Sequence, residues 1–416
     1  MKICLVTTFP PSHRGLAEYG FHIARELQQN PLLSLTILAD ELETPQPELE
    51  DYSVIRCWRF NTLSNAKRVL AQIRELKPDV VWFNLGFSSY GDRPAAAFAG
   101  VCIPALTRLN GYYTHVTLHQ VIDYISMKDA GVRFPRVYRA AGYLATRLVL
   151  MSNSISVLLP AYRRTLRNKY RGANVHVRMH GILSSRPEYP DFSRRGNPLH
   201  RVLAFGKWGT YKRLEQILEV FALVSARVPD AQLVIAGGDH PKTPGYVASV
   251  SEKYQHNRQI VFTGYVAEDK IPELFQTATV AVMPYSSAAG SSGVAHLAAA
   301  FGLPIICADI PDFREMAENE DLAISFYETG NMQSLAGEII DLLESPERQQ
   351  QMAEQNFSAA MRMTMPQIVR QYLRAFDVHQ RTRALEPLRR FRRIPSWVST
   401  RSALARAVSA RTAPWM

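Results

Sequence analysis

Strand-length apolar runs and amphipathic helical stretches alternate along this chain from end to end, and the alternation stops and restarts once. Helix-long crossovers between successive strands bring each strand back parallel, so the pattern admits an α/β fold built on parallel sheets. In the first half, strands are predicted at 2–7, 34–39, 53–57, 79–84, 115–119 and 154–158, with helices at 15–28, 64–76, 135–150 and 161–169. The second half opens with a strand at 201–205 and a helix over 214–228. In that helix Leu214, Ile217, Leu218, Phe221 and Val224 recur at helical spacing. Further strands are predicted at 232–236, 260–263, 280–283 and 304–307, and helices at 270–277, 294–301 and 331–344. Residues 184–200, SSRPEYPDFSRRGNPLH, are rich in Pro, Ser, Gly and charge and suit a linker. A chain of 416 residues exceeds one ordinary core. The expectation is two doubly wound domains in tandem, facing across a cleft.

Composition excludes several classes. No apolar run reaches the roughly 20 residues of a membrane-spanning helix, and MKICLVTTFPP reads as a first strand rather than a signal peptide. Cys4, Cys57, Cys102 and Cys307 show no CxxC spacing, which fits a reduced, cytoplasmic protein without a cysteine metal site. The net charge is +11, of which residues 379–416, with nine arginines and one acid, carry +8. Leu385, Leu388, Phe391, Ile394 and Trp397 are interleaved among those arginines. This tail reads as an electrostatic contact to an anionic membrane surface, or equally as a disordered basic tail or an unspecific nucleic-acid contact. Pro387, Pro395 and Pro414 are expected to break any helix there into short pieces.

Three segments of the second half carry chemistry. In MPYSSAAGSSGVAHLAAAFGLP, a strand ends at Met283, small residues follow, and an Ala-rich helix begins near Val294. Ser291, Ser292, Gly293 and Val294 sit where a helix presents unpaired N–H groups and its positive dipole end, a place for phosphate. The same segment also reads as a plain loop before a core helix. Gly206-Lys207-Trp208-Gly209-Thr210-Tyr211-Lys212-Arg213 places cations after a strand, where they could neutralise a diphosphate. Gly238 follows the strand QLVIA, and Val266 follows the strand ending FTG, where backbone could read a nucleobase edge. In the first half, Gly15 opens a helix after FPPSHR and His119 ends the strand in HVTLHQVID. The latter is as readily structural as functional.

These pieces, in this order, resemble the retaining GT-B glycosyltransferases, and in particular glycosyltransferase family four (glycosyl transferases group one), over about residues 1–378. FPPSHRGLAEYGFHIAREL is similar to the family's first loop and helix, with Gly15 as its glycine. VTLHQVID matches its histidine segment, placing His119, and GKWGTYKRLEQILEVFA its basic segment. Lys212 takes the family lysine, and Lys207 stands where arginine is usual. VRMHGI, with His180-Gly181, resembles the strand end before the linker, and MPQIVRQYLRAF the last helix, which in the family crosses back to the first domain. The resemblance implies an N-terminal Rossmann-like domain at 1–190 completed by 365–378, a nucleotide-sugar domain at 196–364, and an Arg-rich tail at 379–416. It implies a nucleotide-diphospho-sugar as donor substrate, a glycan or lipid-linked glycan as acceptor, transfer with retention, and neither cofactor nor metal. His119, Lys207 and Lys212 would be catalytic, and Gly15, Gly238, Val266, Ser291, Ser292, Gly293 and Val294 would bind the donor.

The chain departs from the family at two positions. The usual pair of glutamates, with seven residues between them, falls on Ala289 and Leu297, and no acid lies between Tyr285 and Ile306. Glu315 is not an equivalent. A catalytically inactive binding subunit and a nucleotide-sugar epimerase therefore stand as alternatives. The lack of GxGxxG after the first strand argues against an NAD oxidoreductase.

Overall fold

The structure, a computed structural model, describes residues 1–12, 14–44, 46–125, 134–183, 200–210, 212, 214–240, 242–287 and 290–391. By its internal contacts the chain forms two compact units, Met1–Ile368 and Val369–Met416. The larger unit contains both sheets.

The first sheet is built from β1 (Lys2–Val6), β2 (Ser34–Asp40), β3 (Val54–Trp58), β4 (Val80–Leu85), β5 (Thr114–Leu118), β6 (Ser154–Val157) and β7 (Val175–Val177). All pairs are parallel, in the order β3-β2-β1-β4-β5-β6-β7. The crossovers include α1 (Ala17–Gln28), α2 (Asn65–Leu76), α3 (Pro94–Val101), α4 (Ile103–Leu109), α5 (Pro135–Val149) and α6 (Pro160–Asn168). Strand β4 is buried along its whole length, as expected of a strand covered on both faces.

The second sheet comprises β8 (Arg201–Phe205), β9 (Gln232–Ala236), β10 (Ile260–Gly264), β11 (Val280–Met283), β12 (Ile305–Ala308) and β13 (Ile324–Tyr327), parallel in the order β10-β9-β8-β11-β12-β13. Its helices are α7 (Glu215–Arg227), α8 (Tyr246–Tyr254), α9 (Ile271–Gln276), α10 (Gly293–Ala300), α11 (Pro311–Glu320), α12 (Met332–Leu343) and α13 (Pro346–Arg362). After α13 the chain returns to the end of the first half, where Ile182 N–H donates to Met363 O at 2.9 Å. The fold is thus two Rossmann-like α/β layers in tandem, the GT-B arrangement.

Order reverses between β1 and β4 in the first sheet and between β8 and β11 in the second. Such switch points open a crevice beyond the carboxyl ends of the strands, where ligands bind in doubly wound sheets. The strands ending in Gly15's loop, the basic loop and the small-residue loop are therefore the ones that flank the two crevices.

One expectation fails at the C-terminus. Helix α14 spans Met365–Phe391, so the first part of the Arg-rich segment is helical and Pro387 does not interrupt it. Proline there removes only the hydrogen bond to the carbonyl of Arg383, an exposed residue, and water can serve that carbonyl instead. Residues 392–416, including Ile394, Pro395, Trp397 and Pro414, lie outside the described residues.

Candidate active site

Three adjacent strands of the second sheet end in glycines with positive φ: Gly206 (155°), Gly237 (104°) and Gly264 (64°). At Gly237 a side chain is impossible, since an added Cβ would stand 1.9 Å from the Gly206 carbonyl oxygen. These tight turns draw the loops together above the sheet. Gly206 N–H donates to Ala236 O (3.0 Å), Gly237 N–H to Gly264 O (2.8 Å), and Trp208 N–H to Gly238 O (2.9 Å). The Trp208 ring is fully buried, its Nε1–H bonded to Ala236 O at 3.0 Å. Trp208 thereby anchors the basic loop and leaves Lys207 exposed at its tip.

Lys212 is fixed by a reciprocal backbone pair with Gly209 (2.9 and 3.0 Å) and bridges to Tyr285, the first residue after Pro284. Its Nζ lies 4.4 Å over the Tyr285 ring, a cation–π contact. Both lysines act on His240, whose pKa is lowered by burial first and then by Lys242, Lys207 and Lys212. The two cations therefore share one region, reached from β8, beside the loop that leads into α10.

That loop is held from below. Asp312, buried, accepts Gly290 N–H at 2.7 Å, and Ser292 caps α10 by accepting Ala295 N–H at 3.4 Å. Gly293 remains exposed at the helix start. A Cβ there would meet only His180 Cε1, at 3.7 Å, and Nε2, at 3.9 Å. His180 belongs to the first half, so the α10 N-terminus faces the end of the first sheet.

His119 stands on the same side. A Cβ at Gly290 would lie 3.8 Å from its carbonyl oxygen. Its ring meets Tyr19 edge-on (centroids 4.7 Å) and lies 6.2 Å from His180. Burial pushes the His119 pKa down to about 3, so the ring is neutral. Asn84 Oδ1 sits 2.6 Å from Nε2, while Asn84 Nδ2 donates to Thr7 Oγ1 at 3.0 Å. The amide thus presents its oxygen, Nε2 carries the proton, and Nδ1 keeps the lone pair as an acceptor.

Gly15 (φ 42°) has open space where a Cβ would be, and it precedes α1. On α1, the Glu18 carboxyl is raised by loss of surrounding water and by Glu268, and is lowered by Lys207. Glu268 also lies 4.0 Å from His22. Val266, two residues before Glu268, and Gly238, after β9, are half-buried.

Of the residues read from the sequence, His119 lies against the loop before α10, and Lys207 and Lys212 both act on His240. The structure adds some that sequence reasoning did not single out. His296 is the one polar side chain of α10, buried, with Nδ1 2.7 Å from Ser292 O and Nε2 2.9 Å from Glu320 of α11. Its ring lies 5.0 Å from His180. Burial alone would lower its pKa; the Glu320 charge and the Ser292 carbonyl raise it above the ordinary value. A buried histidine–carboxylate pair thus sits directly behind the α10 N-terminus. Glu18 and Tyr285 are the other additions. A histidine inside an otherwise Ala-rich helix was the available signal for His296. Glu320 had none, because only packing pairs it. Glu315 does not enter the crevice: it accepts Ala161 N–H at 3.1 Å and pairs with Arg164, capping α6. Of the two family glutamate positions, Leu297 is half-buried on α10 and Ala289 lies outside the described residues.

Two doubly wound sheets meeting at their carboxyl ends, with a basic loop and an open helix N-terminus at the second switch point, define a GT-B protein. Residues 185–358 match the model of the family described as glycosyl transferases group 1. No curated protein matches it by sequence. Among solved structures it is similar to sucrose-phosphate synthase from Thermosynechococcus elongatus (14% identity, 92% of this chain and 99% of that one, TM-score 0.71). It is also similar to Anabaena HepE in complex with UDP-glucose (16% identity, 91% and 100%, TM-score 0.66). A third is a glycosyltransferase from Rickettsia africae (15% identity, 90% and 97%, TM-score 0.62).

Proposed function

We propose that this chain transfers a sugar from a nucleoside-diphospho-sugar to the hydroxyl of a glycan or lipid-linked glycan, with retention at the anomeric carbon. The observation that carries this reading is the convergence of Lys207, Lys212 and the α10 N-terminus on the β8/β11 switch point. The bond between the anomeric carbon and the donor phosphate breaks, and its electron pair goes to the diphosphate. Lys207, Lys212 and the N–H groups at Gly293 and Val294 receive that growing charge, which favours the transition state over bound donor. The acceptor oxygen bonds the anomeric carbon, and its proton leaves with the diphosphate oxygen. His119, neutral and with Nδ1 an acceptor, orients a sugar hydroxyl. Gly15 leaves room for the sugar or diphosphate, and Gly238 and the backbone at Val266 flank the nucleoside.

UDP is the first nucleotide to test, because HepE holds UDP and UDP-glucose in a related fold. A thermal-shift comparison of UDP, GDP and ADP should show one of them raising the unfolding temperature, since a ligand at 100 times its Kd adds about 2.7 kcal/mol to stability. In Gly293→Val the fold should persist, because an added Cβ meets His180 only at ordinary contact distance. Its branched side chain fills the approach to the helix start, so affinity should fall at least tenfold. Equal stabilisation of both proteins would place the nucleotide elsewhere.

A second reading, a GT-B subunit that binds donor without turning it over, is favoured by Leu297 at a position where the family carries glutamate. Release of nucleoside diphosphate from the stabilising sugar donor separates the two, because an inactive subunit releases none.

A further inference from the structure

Three neighbouring strands at the first switch point end in a chain of buried polar groups. Thr7 follows β1, Asn84 lies near the end of β4 and His119 follows β5, and these strands pair in the order β1-β4-β5. The three residues are 2%, 3% and 8% exposed. The Thr8 carbonyl can only accept, so the Thr7 hydroxyl, 2.9 Å away, points its hydrogen there. Thr7 Oγ1 is left with lone pairs, and it accepts Asn84 Nδ2–H at 3.0 Å. Leu16 O, another pure acceptor, lies 3.5 Å from the same nitrogen. Gly20 of α1 makes room for this arrangement, since a Cβ there would stand 2.6 Å from Thr7 Oγ1. The Asn84 amide therefore has one direction, with Oδ1 towards His119. Reversing it would cost the Thr7–Thr8 bond and set the amide oxygen against Leu16 O.

The direction of that amide decides what His119 can bind. Asn84 Oδ1 takes the Nε2–H of His119 at 2.6 Å, which leaves Nδ1 with its lone pair. In His180 the roles of the two nitrogens are exchanged: Nδ1 lies 2.8 Å from Gly181 O and so carries the proton, and Nε2 keeps the lone pair. Two imidazoles with ring centroids 6.2 Å apart thus present acceptors, whereas Lys207, Lys212 and the start of α10 present donors. A phosphate oxygen suits the donors and is repelled by the acceptors; a sugar hydroxyl can donate to them. We propose that Asn84 is a positioning residue that locks His119 as a hydrogen-bond acceptor, so that His119 admits a sugar hydroxyl and rejects groups that can only accept. The identity of the hydroxyl rests on the donor-site reading; the lock on the ring does not.

Nitrogen NMR of the full chain with isotope-labelled histidine tests the lock without any substrate. The His119 signals, identified by their loss in His119→Gln, should show Nε2 protonated and Nδ1 bare. A ring protonated at Nδ1 overturns the proposal. Asn84→Asp supplies the second test. Its carboxylate beside Nε2 favours the charged ring, whose Nδ1 then becomes a donor. Among the described residues the titratable groups against the His119 ring are Tyr19 and His180, and burial alone lowers its pKa in the wild type. At pH 6 the variant should bind UDP-glucose at least tenfold more weakly than wild type, while its affinity for UDP does not fall. The deficit relative to wild type should shrink towards pH 9, as the raised pKa is passed and the ring sheds its proton. A purely structural asparagine would give one loss for UDP and UDP-glucose alike at every pH, and that result overturns the proposal, as does unaltered binding. If wild type binds neither UDP nor UDP-glucose, the uridine donor reading fails, and the NMR result alone decides the role of Asn84.

Discussion

Lys212→Ala should lower turnover by on the order of 100-fold while leaving the protein folded. The loss follows from removing one of two cations at the place where charge develops on the departing diphosphate. Because that charge grows only as the bond breaks, kcat should fall more than KM rises. The structural penalty is small by comparison. Backbone pairing of residue 212 with Gly209 needs no side chain. What is lost is the contact of Nζ over Tyr285 at 4.4 Å, typically about 0.5–2 kcal/mol. Steady-state kinetics beside a melting curve checks both parts. Near-normal turnover in the folded variant would remove Lys212 from the chemistry.

Glu320→Gln should be the most destabilising single change around the site, by about 3 kcal/mol. His296 and Glu320 are 1% and 2% exposed at 2.9 Å, and removing one partner of a buried pair typically costs about 3–5 kcal/mol. The lower end applies because the histidine can shed its proton rather than remain a lone buried charge. The pH dependence has a defined sign. The folded-state pKa of His296 is raised, so the pair's contribution is complete below the unfolded value near 6.5 and fades as pH rises through the folded value. The gap in unfolding temperature between wild type and Glu320→Gln should therefore be larger at pH 6 than at pH 9. A constant gap would show that His296 is not charged in the native state. Replacing both partners by Met should recover much of the stability.

The sequence made the architecture legible because parallel strands buried on both faces leave unmistakable apolar runs, as in VVWFNL of β4 and VAVM of β11. Loops at strand ends were legible for a related reason: glycine and proline mark them, and an α/β fold puts its ligands there. Gly15, Lys207, Lys212 and Ser291–Val294 stand out as candidates from those loops alone. What stayed hidden depends on tertiary packing. Nothing local in NEDLAIS joins Glu320 to a histidine 24 positions earlier. His180 looked like a strand end until α10 came to rest against it, and Glu18 gained meaning only through Lys207 and Glu268. The continuation of α14 through Pro387 was not legible because the freed carbonyl belongs to Arg383, whose exposure to water depends on packing.

The most direct test of the account is the position of the nucleotide diphosphate, obtained from a crystal structure of the full chain with UDP or whichever nucleotide stabilises it most. The distal phosphate should lie within about 3 Å of backbone N–H groups at Gly293 or Val294, with the amine of Lys207 or Lys212 on its other oxygens. A nucleotide bound at the carboxyl edge of the first sheet, with its phosphates away from the α10 N-terminus, would contradict the account.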